Sequence, residues 1–102
     1  MNHSDPFDLQ SQARTIAETG EKAKLAQQIE IDDLKWQMSD KRGRRNVFRD
    51  LERAGVWRIS FNSNALTMAF NEGMRNHGLR KMALLTTHCA DRYTEMLKES
   101  KE

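Results

Sequence analysis

The stretch SDKRGRRNVFRDLERAG, residues 39–55, constrains the fold of this chain more than any other segment. Ser39 and Asp40 can each cap the start of a helix by accepting a backbone N–H group. Six basic residues follow within the stretch, and five of them are arginines. We therefore predict an amphipathic helix that ends at Ala54, and the use of its positive charge becomes the main question about function.

The end of this helix is marked by glycine. Gly55 fits the left-handed position that follows the last helical turn, because glycine adopts a positive φ without steric cost. Val56 would then lie against Leu51, which is the apolar contact of a Schellman ending.

The predicted helix has two faces. At 100° per residue, Val47, Leu51 and Ala54 fall within about 60° of one another, with Phe48 at their edge. The arginine face lies nearly opposite, in a separate arc of about 80°, and consists of Arg42, Arg45, Arg49 and Arg53. One face is therefore expected in the core and the other at the surface.

Three interpretations of the arginine face remain open. The side chains could be solvated without any partner, or they could neutralise nucleic-acid phosphates in a salt-dependent manner. They could also bind an acidic protein surface through bidentate contacts with carboxylates. Arginine rather than lysine dominates, which favours shaped recognition over mere solvation. Few aromatic residues are available for base stacking, which argues against nucleic acid. We therefore prefer the acidic protein surface.

Arg44 differs from the other arginines because it projects toward the apolar side of the same helix. A charged group there must reach out to solvent or pair with a buried acid. Glu72 is the acid within the helix predicted over residues 65–86. We therefore predict a structural pair between Arg44 and Glu72.

The remaining sequence predicts an all-α protein, a small bundle of about four helices. Residues 1–28 form a polar, partly helical N-terminal arm, and residues 29–102 form the compact helical domain. Helices are expected over about 12–29, over a short segment around 31–38, over about 65–86, and near the C-terminus. Residues 57–61, WRISF, are interpreted as an extended connector.

Charge is distributed unequally along the chain. Residues 1–40 carry four basic and eight acidic residues, a net charge of −4. Residues 41–102 carry thirteen basic and seven acidic residues, a net charge of +6. Opposite signs permit contact between the arm of one copy and the body of another.

Two glycines lie inside the predicted helix over residues 65–86, where each lowers helix stability. Either the helix breaks near residues 77–79, or another backbone approaches one glycine closely. Gly73 falls near Phe70 and Met74 on the wheel, and we favour it as the packing contact.

Catalytic, metal and cofactor sites are not expected. Cys89 is the only cysteine, so no intramolecular disulfide is possible, and no ligand spacing typical of a zinc site is found. No catalytic triad order or glycine-rich phosphate loop is present. The sequence has neither a signal-peptide pattern nor an apolar run of membrane-spanning length, so we expect a protein made in a cytoplasm.

Residues 33–85 show a resemblance to a known family. The elements LKW-(x)-MSD-(x)-RGRR, RAG and EG-(x)-R-(x)₂-GL occur here at residues 34–45, 53–55 and 72–79. In this respect the chain resembles a family of small tailed-bacteriophage proteins first named from a Bordetella podophage. It departs from the family at Asp50 and Leu51, where two leucines are frequent.

The resemblance implies a structural or assembly role in a phage particle and assigns no catalytic residues, while the residues themselves lead us to expect no enzyme. We expect a multi-copy structural or assembly protein of the virion, at the portal, the head–tail connector or an internal core. Its partners would be other virion proteins and copies of itself. The alternatives are a DNA-contacting packaging or ejection accessory protein, and a free regulatory binding module that never enters the particle.

Overall fold

The computed structural model describes residues 6–102, with side chains from residue 8 onward, so the first five residues of the predicted arm lie outside it. Four α-helices follow one another, and this range contains no strand. They are α1 (Pro6–Met38), α2 (Lys41–Ala54), α3 (Ala65–His88) and α4 (Ala90–Glu99). The prediction of a small all-α protein with about four helices is confirmed.

Helix α1 is continuous over 33 residues, whereas two separate helices were expected between residues 12 and 38. Its interior contains no proline, and Gly20 alone costs only about 1 kcal/mol relative to alanine. The hydroxyl groups of Thr15 and Thr19 donate to the carbonyl oxygens four residues earlier, at 3.0 and 2.8 Å. The local penalties are therefore too small to interrupt the helix.

The chain divides into two units, which we call the N-terminal unit (residues 1–32) and the C-terminal unit (residues 33–102). The sequence prediction placed the limit of the arm at residue 28. Within the N-terminal unit, the side chains of Leu9, Ile16 and Leu25 are exposed.

The hydrophobic core lies in the C-terminal unit. Helix α2 packs against α3 and α4, which also pack against each other, and the end of α1 adds two side chains. The buried core residues are Leu34, Met38, Val47, Leu51, Val56, Leu85, Cys89 and Met96. A core of this size gives a small domain only modest stability, so single polar contacts and close packing matter here.

The connections between helices differ in length and in capping. The side chain of Asn64 accepts a hydrogen bond from the backbone N–H of Thr67 at 3.1 Å, which satisfies a donor at the start of α3. Cys89 alone separates α3 from α4. Its N–H donates to the carbonyl of Leu85 at 2.7 Å, and its carbonyl accepts from Tyr93 at 2.8 Å.

Candidate functional site

The arginine face is fully formed on α2. Arg42, Arg45, Arg49 and Arg53 are all exposed, whereas Val47 and Leu51 on the other side of the helix are buried. Within residues 6–102, none of these four guanidinium groups makes a hydrogen bond or an ion pair. The two-faced helix is confirmed, and what the four arginines bind remains a prediction.

Arg44 points inward, as its position on the helix indicated, but it does not pair with Glu72. Its Nε and Nη2 atoms contact the carboxylate of Glu99 at 2.5 and 3.4 Å, and Nη2 also lies 3.3 Å from Glu95. Nη1 donates to the carbonyl oxygen of Met38 at 2.9 Å. Arg44 therefore connects the ends of α1 and α4 to the start of α2.

The predicted pair between Arg44 and Glu72 was wrong because a helical wheel gives only the direction of a side chain. The acids that complete the Arg44 site come from α4, about fifty residues away in sequence. Glu72 is exposed on α3 and accepts a hydrogen bond from the hydroxyl of Ser60. Arg75 on the same helix donates through Nε to the carbonyl of Arg58 at 3.0 Å. The EG-(x)-R element therefore holds the α2–α3 connector.

The pKa values around Arg44 follow from these contacts. The hydrogen bond with Glu99 raises the pKa of Arg44 and keeps its guanidinium charged, although burial acts in the opposite direction. The pKa of Glu95 is lowered, first because Arg92 donates a hydrogen bond to its carboxylate at 2.8 Å, and further by the charge of Arg44.

Gly43, the glycine of the RGRR element, is a close packing contact that was not predicted from the sequence. A Cβ atom at this position would lie 1.9 Å from the carbonyl oxygen of Gln37, which is closer than any real contact. The hydroxyl of Ser39 donates to the carbonyl of Trp36 at 2.6 Å, and the side chain of Asp40 makes no capping hydrogen bond. The expected side-chain cap is thus absent, and the corner depends on close approach at Gly43.

The predicted ending of α2 is confirmed. Gly55 has a φ of 81°, and its N–H donates to the carbonyls of Leu51 and Glu52. The N–H of Val56 donates to Leu51 at 3.3 Å, which completes the Schellman pattern, and Val56 is buried. Arg58 adds a contact to this ending that was not predicted. Its Nη2 atom also donates a hydrogen bond to the carbonyl of Glu52 at 3.0 Å.

Gly78, and not Gly73, is the packing contact of α3. An added Cβ at Gly78 would lie 2.6 Å from Cγ1 of Val56 and 2.7 Å from Cβ of Ala54. Gly73 is exposed, and nothing lies within 4 Å of the corresponding position. The two glycines are about 140° apart around the helix, and α2 packs against the side that carries Gly78. The helix does not break near residues 77–79.

A large part of the apolar surface is left uncovered near the start of α3. The exposed fractions are 83% for Leu66, 67% for Phe70 and 42% for Met74, and these side chains recur every four residues. Ile59 and Phe61 in the connector are 87% and 74% exposed. We call these five residues the apolar patch. Ile59, Phe70 and Met74 line one cleft, and exposed apolar side chains grouped in this way mark binding sites in soluble proteins.

The described residues contain no group of three or more histidine, cysteine or acidic side chains that could hold a metal ion. Burial raises the pKa of the Cys89 thiol. In the described part of the chain, no helix combines the length and apolar character that crossing a membrane requires.

These features define a small helical protein that presents an arginine face and an apolar patch. The model of the Bbp19-like phage protein family matches residues 34–98, which is more than half of the chain. The protein therefore belongs to the Bbp19-like phage protein family. No curated protein and no solved structure shows significant similarity to it.

The family match covers the residues that form the corner at Arg44, the end of α2 and the packing contact at Gly78. It thus coincides closely with the C-terminal unit and begins at Leu34, the first core residue of α1. Each of the three sequence elements contains residues with a role in the fold, whereas Arg42 and Arg45 of the first element are exposed.

Proposed function

We propose that this protein is a non-enzymatic structural or assembly component of the phage virion, present in several copies, at the portal, the head–tail connector or an internal core. The observation that carries the proposal is the arginine face. Its four guanidinium groups are exposed on one side of α2, and none of them is paired within residues 6–102. Membership of a phage protein family supports the link to the particle.

The partner that fits this face best is an acidic surface of another virion protein. The helix that carries the arginines is held at both ends, at Arg44 and at Gly55, so the four side chains extend from a rigid support. Guanidinium groups bind carboxylates in a planar, bidentate geometry, and charge complementarity selects the partner and accelerates association.

The test is mass spectrometry of purified virions, with intensities calibrated against a structural protein of known copy number. Detection in several copies per particle is expected. A variant with all four arginines of the face changed to glutamine should be incorporated at a level at least about tenfold lower, since each paired charge contributes binding energy.

A matched control removes the same charge elsewhere. Arg14, Lys24, Lys98 and Lys101 are exposed, and changing these four to glutamine should leave incorporation unchanged. Absence of the protein from virions, while it is made in infected cells, would contradict the proposal and favour a free regulatory binding module.

A DNA-contacting packaging or ejection accessory protein is the second candidate, because the same unpaired guanidinium groups can neutralise phosphates. Binding to mixed-sequence duplex DNA should then fall steeply as salt rises. Changing Arg45 and Arg49 to alanine should make that salt dependence shallower. If no binding is measured at low salt, this candidate is excluded.

A further inference from the structure

We propose that two copies of this chain associate through the N-terminal unit of one copy and the apolar patch of the other. Both surfaces are exposed, and they are complementary in charge. The contact does not depend on where the protein acts in the particle, because it is a property of the purified chain.

The first surface is one face of α1 in the N-terminal unit. Leu25 and Ile29 are four residues apart, so they lie on the same side of the helix, and they are 63% and 52% exposed. Glu18 and Asp32 lie seven residues before and after Leu25, which places them close to it in angle. We call this set of four residues the acidic helix face.

The charge of this region is negative. Residues 18–33 contain five carboxylates and two lysines, of which Lys22 lies on the same side as Leu25. A single helix with exposed apolar side chains gains little stability by itself. Burial of Leu25 and Ile29 against another surface would therefore stabilise α1 as well as the complex.

The second surface is the apolar patch with the arginines beside it. Ile59, Phe70 and Met74 line one shallow cleft of about 180 Å³ together with Arg53, Arg58 and Arg75. Arg58 and Arg75 donate to backbone carbonyl oxygens, and Arg53 makes no hydrogen bond or ion pair, so no carboxylate within residues 6–102 forms an ion pair with these three side chains. Aromatic, methionine and arginine side chains are the types enriched at protein interfaces.

The two surfaces are complementary in charge, and both carry exposed apolar side chains. An apolar row with carboxylates beside it, on a helix, fits an apolar patch with arginines beside it. A Cβ atom added at Gly73 would meet nothing within 4 Å, and Gly73 lies on the same side of α3 as Phe70 and Met74, so an approaching helix meets little steric hindrance there. Because the two surfaces differ, the contact is heterologous, and repetition builds rings or open chains.

The experiment uses the full-length chain in sedimentation-velocity measurements between about 1 and 100 μM. The wild-type protein should associate with increasing concentration. Leu25→Arg places a cation opposite the arginines, and Phe70→Glu places an anion opposite the acidic helix face. Each variant alone should weaken association at least about tenfold, as expected for a central interface residue.

Mixing the two variants gives the sharpest result. The intact helix face of Phe70→Glu can bind the intact apolar patch of Leu25→Arg, so the mixture should associate more strongly than either variant alone. Circular dichroism of each variant should match that of the wild type. If the mixture stays monomeric while the wild type associates, the contact is not between these two surfaces and the proposal is wrong.

Leu9→Arg is the matched control. Leu9 has the same exposed fraction as Leu25, 63%, and lies about 160° away around α1. Association should be unchanged in this variant. Loss of association in Leu9→Arg, or a wild-type protein that stays monomeric at the highest concentration, would overturn the proposal. Neither result would affect the virion measurement, so failure of this contact and failure of the virion role are distinguishable.

Discussion

The Nε atom of Arg44 lies 2.5 Å from Oε1 of Glu99, and this contact joins the first turn of α2 to the end of α4. The side chains of Arg44 and Glu99 are only 7% and 16% exposed. Removing one partner of such a pair leaves a poorly hydrated charge, which costs more free energy than loss of a surface pair.

Glu99→Gln should therefore destabilise the protein. The amide keeps the volume of the carboxylate but not its charge, while Arg44 stays buried against Met38. We expect the free energy of unfolding to fall by about 1–3 kcal/mol, as for other buried charged hydrogen bonds. Urea denaturation followed by circular dichroism measures this change.

Glu95→Gln serves as the comparison on the same helix. Glu95 is 42% exposed and its carboxylate also accepts from Arg92, so its loss should reduce stability less than the loss of Glu99. An equal or larger effect of Glu95→Gln would show that Arg44 depends on the two carboxylates together and not mainly on Glu99.

The stability of the protein should also depend on pH through Glu95. The hydrogen bond from Arg92 lowers the pKa of Glu95 in the folded state, so the folded protein binds this proton less readily than the unfolded chain. The contribution of Glu95 is fully present above the unfolded pKa of about 4.3. It is lost as the pH falls through the lower folded pKa.

The measurement is the thermal midpoint of the wild type and of Glu95→Gln across the acidic range. The midpoint of the wild type should fall more steeply with decreasing pH than that of the variant. Parallel curves for the two proteins would show that Glu95 does not contribute to the acid sensitivity.

Gly78→Ala and Gly73→Ala should change stability in opposite directions. The methyl group at residue 78 would overlap Val56 and Ala54, and overpacking of this kind costs about 1–3 kcal/mol. The methyl group at residue 73 meets no atom and replaces glycine inside a helix, which should stabilise α3 by up to about 1 kcal/mol. Chemical denaturation of both variants tests the pair, and a stabilising Gly78→Ala would disprove the assignment of the packing contact.

Gly43→Ala should strongly destabilise the protein at the corner between α1 and α2. The clash at 1.9 Å is with the backbone carbonyl of Gln37, so the helix ends must move apart and the contacts of Arg44 are disturbed. We expect a loss of about 3 kcal/mol or more. The midpoint of urea denaturation gives the size of the effect.

Gly20→Ala provides the control for a glycine inside a helix without neighbours. No atom lies within 4 Å of the added methyl group, and alanine favours the helix by about 1 kcal/mol. Helicity measured by circular dichroism should rise without a lower thermal midpoint. A comparably mild effect of Gly43→Ala would mean that the corner does not need the close approach.

Local features of the fold were predictable because they depend on a few neighbouring residues. The end of α2, its two faces and the left-handed Gly55 follow from spacing and from backbone preferences. The exposure of Arg42, Arg45, Arg49 and Arg53 follows from the same spacing. The continuity of α1 was missed, because the polar composition between residues 12 and 38 was interpreted as two shorter helices.

The apolar residues of α3 show where periodicity is insufficient. Leu66, Phe70 and Met74 recur at helical spacing, which is typical both of a side chain in the core and of one at a binding surface. Only the packing of α2 and α4 against the other side of α3 shows that this row is exposed.

By itself, the sequence determined the helical class, the amphipathic α2 with its ending, the inward direction of Arg44 and the resemblance to a phage protein family. Only the tertiary structure decided that Glu95 and Glu99 are the partners of Arg44, that Gly43 and Gly78 are the close contacts, and that the apolar patch is exposed. The physical reason is that helix formation and capping depend on neighbours in sequence. Side-chain partners depend on which helices pack together, and no single helix carries that information.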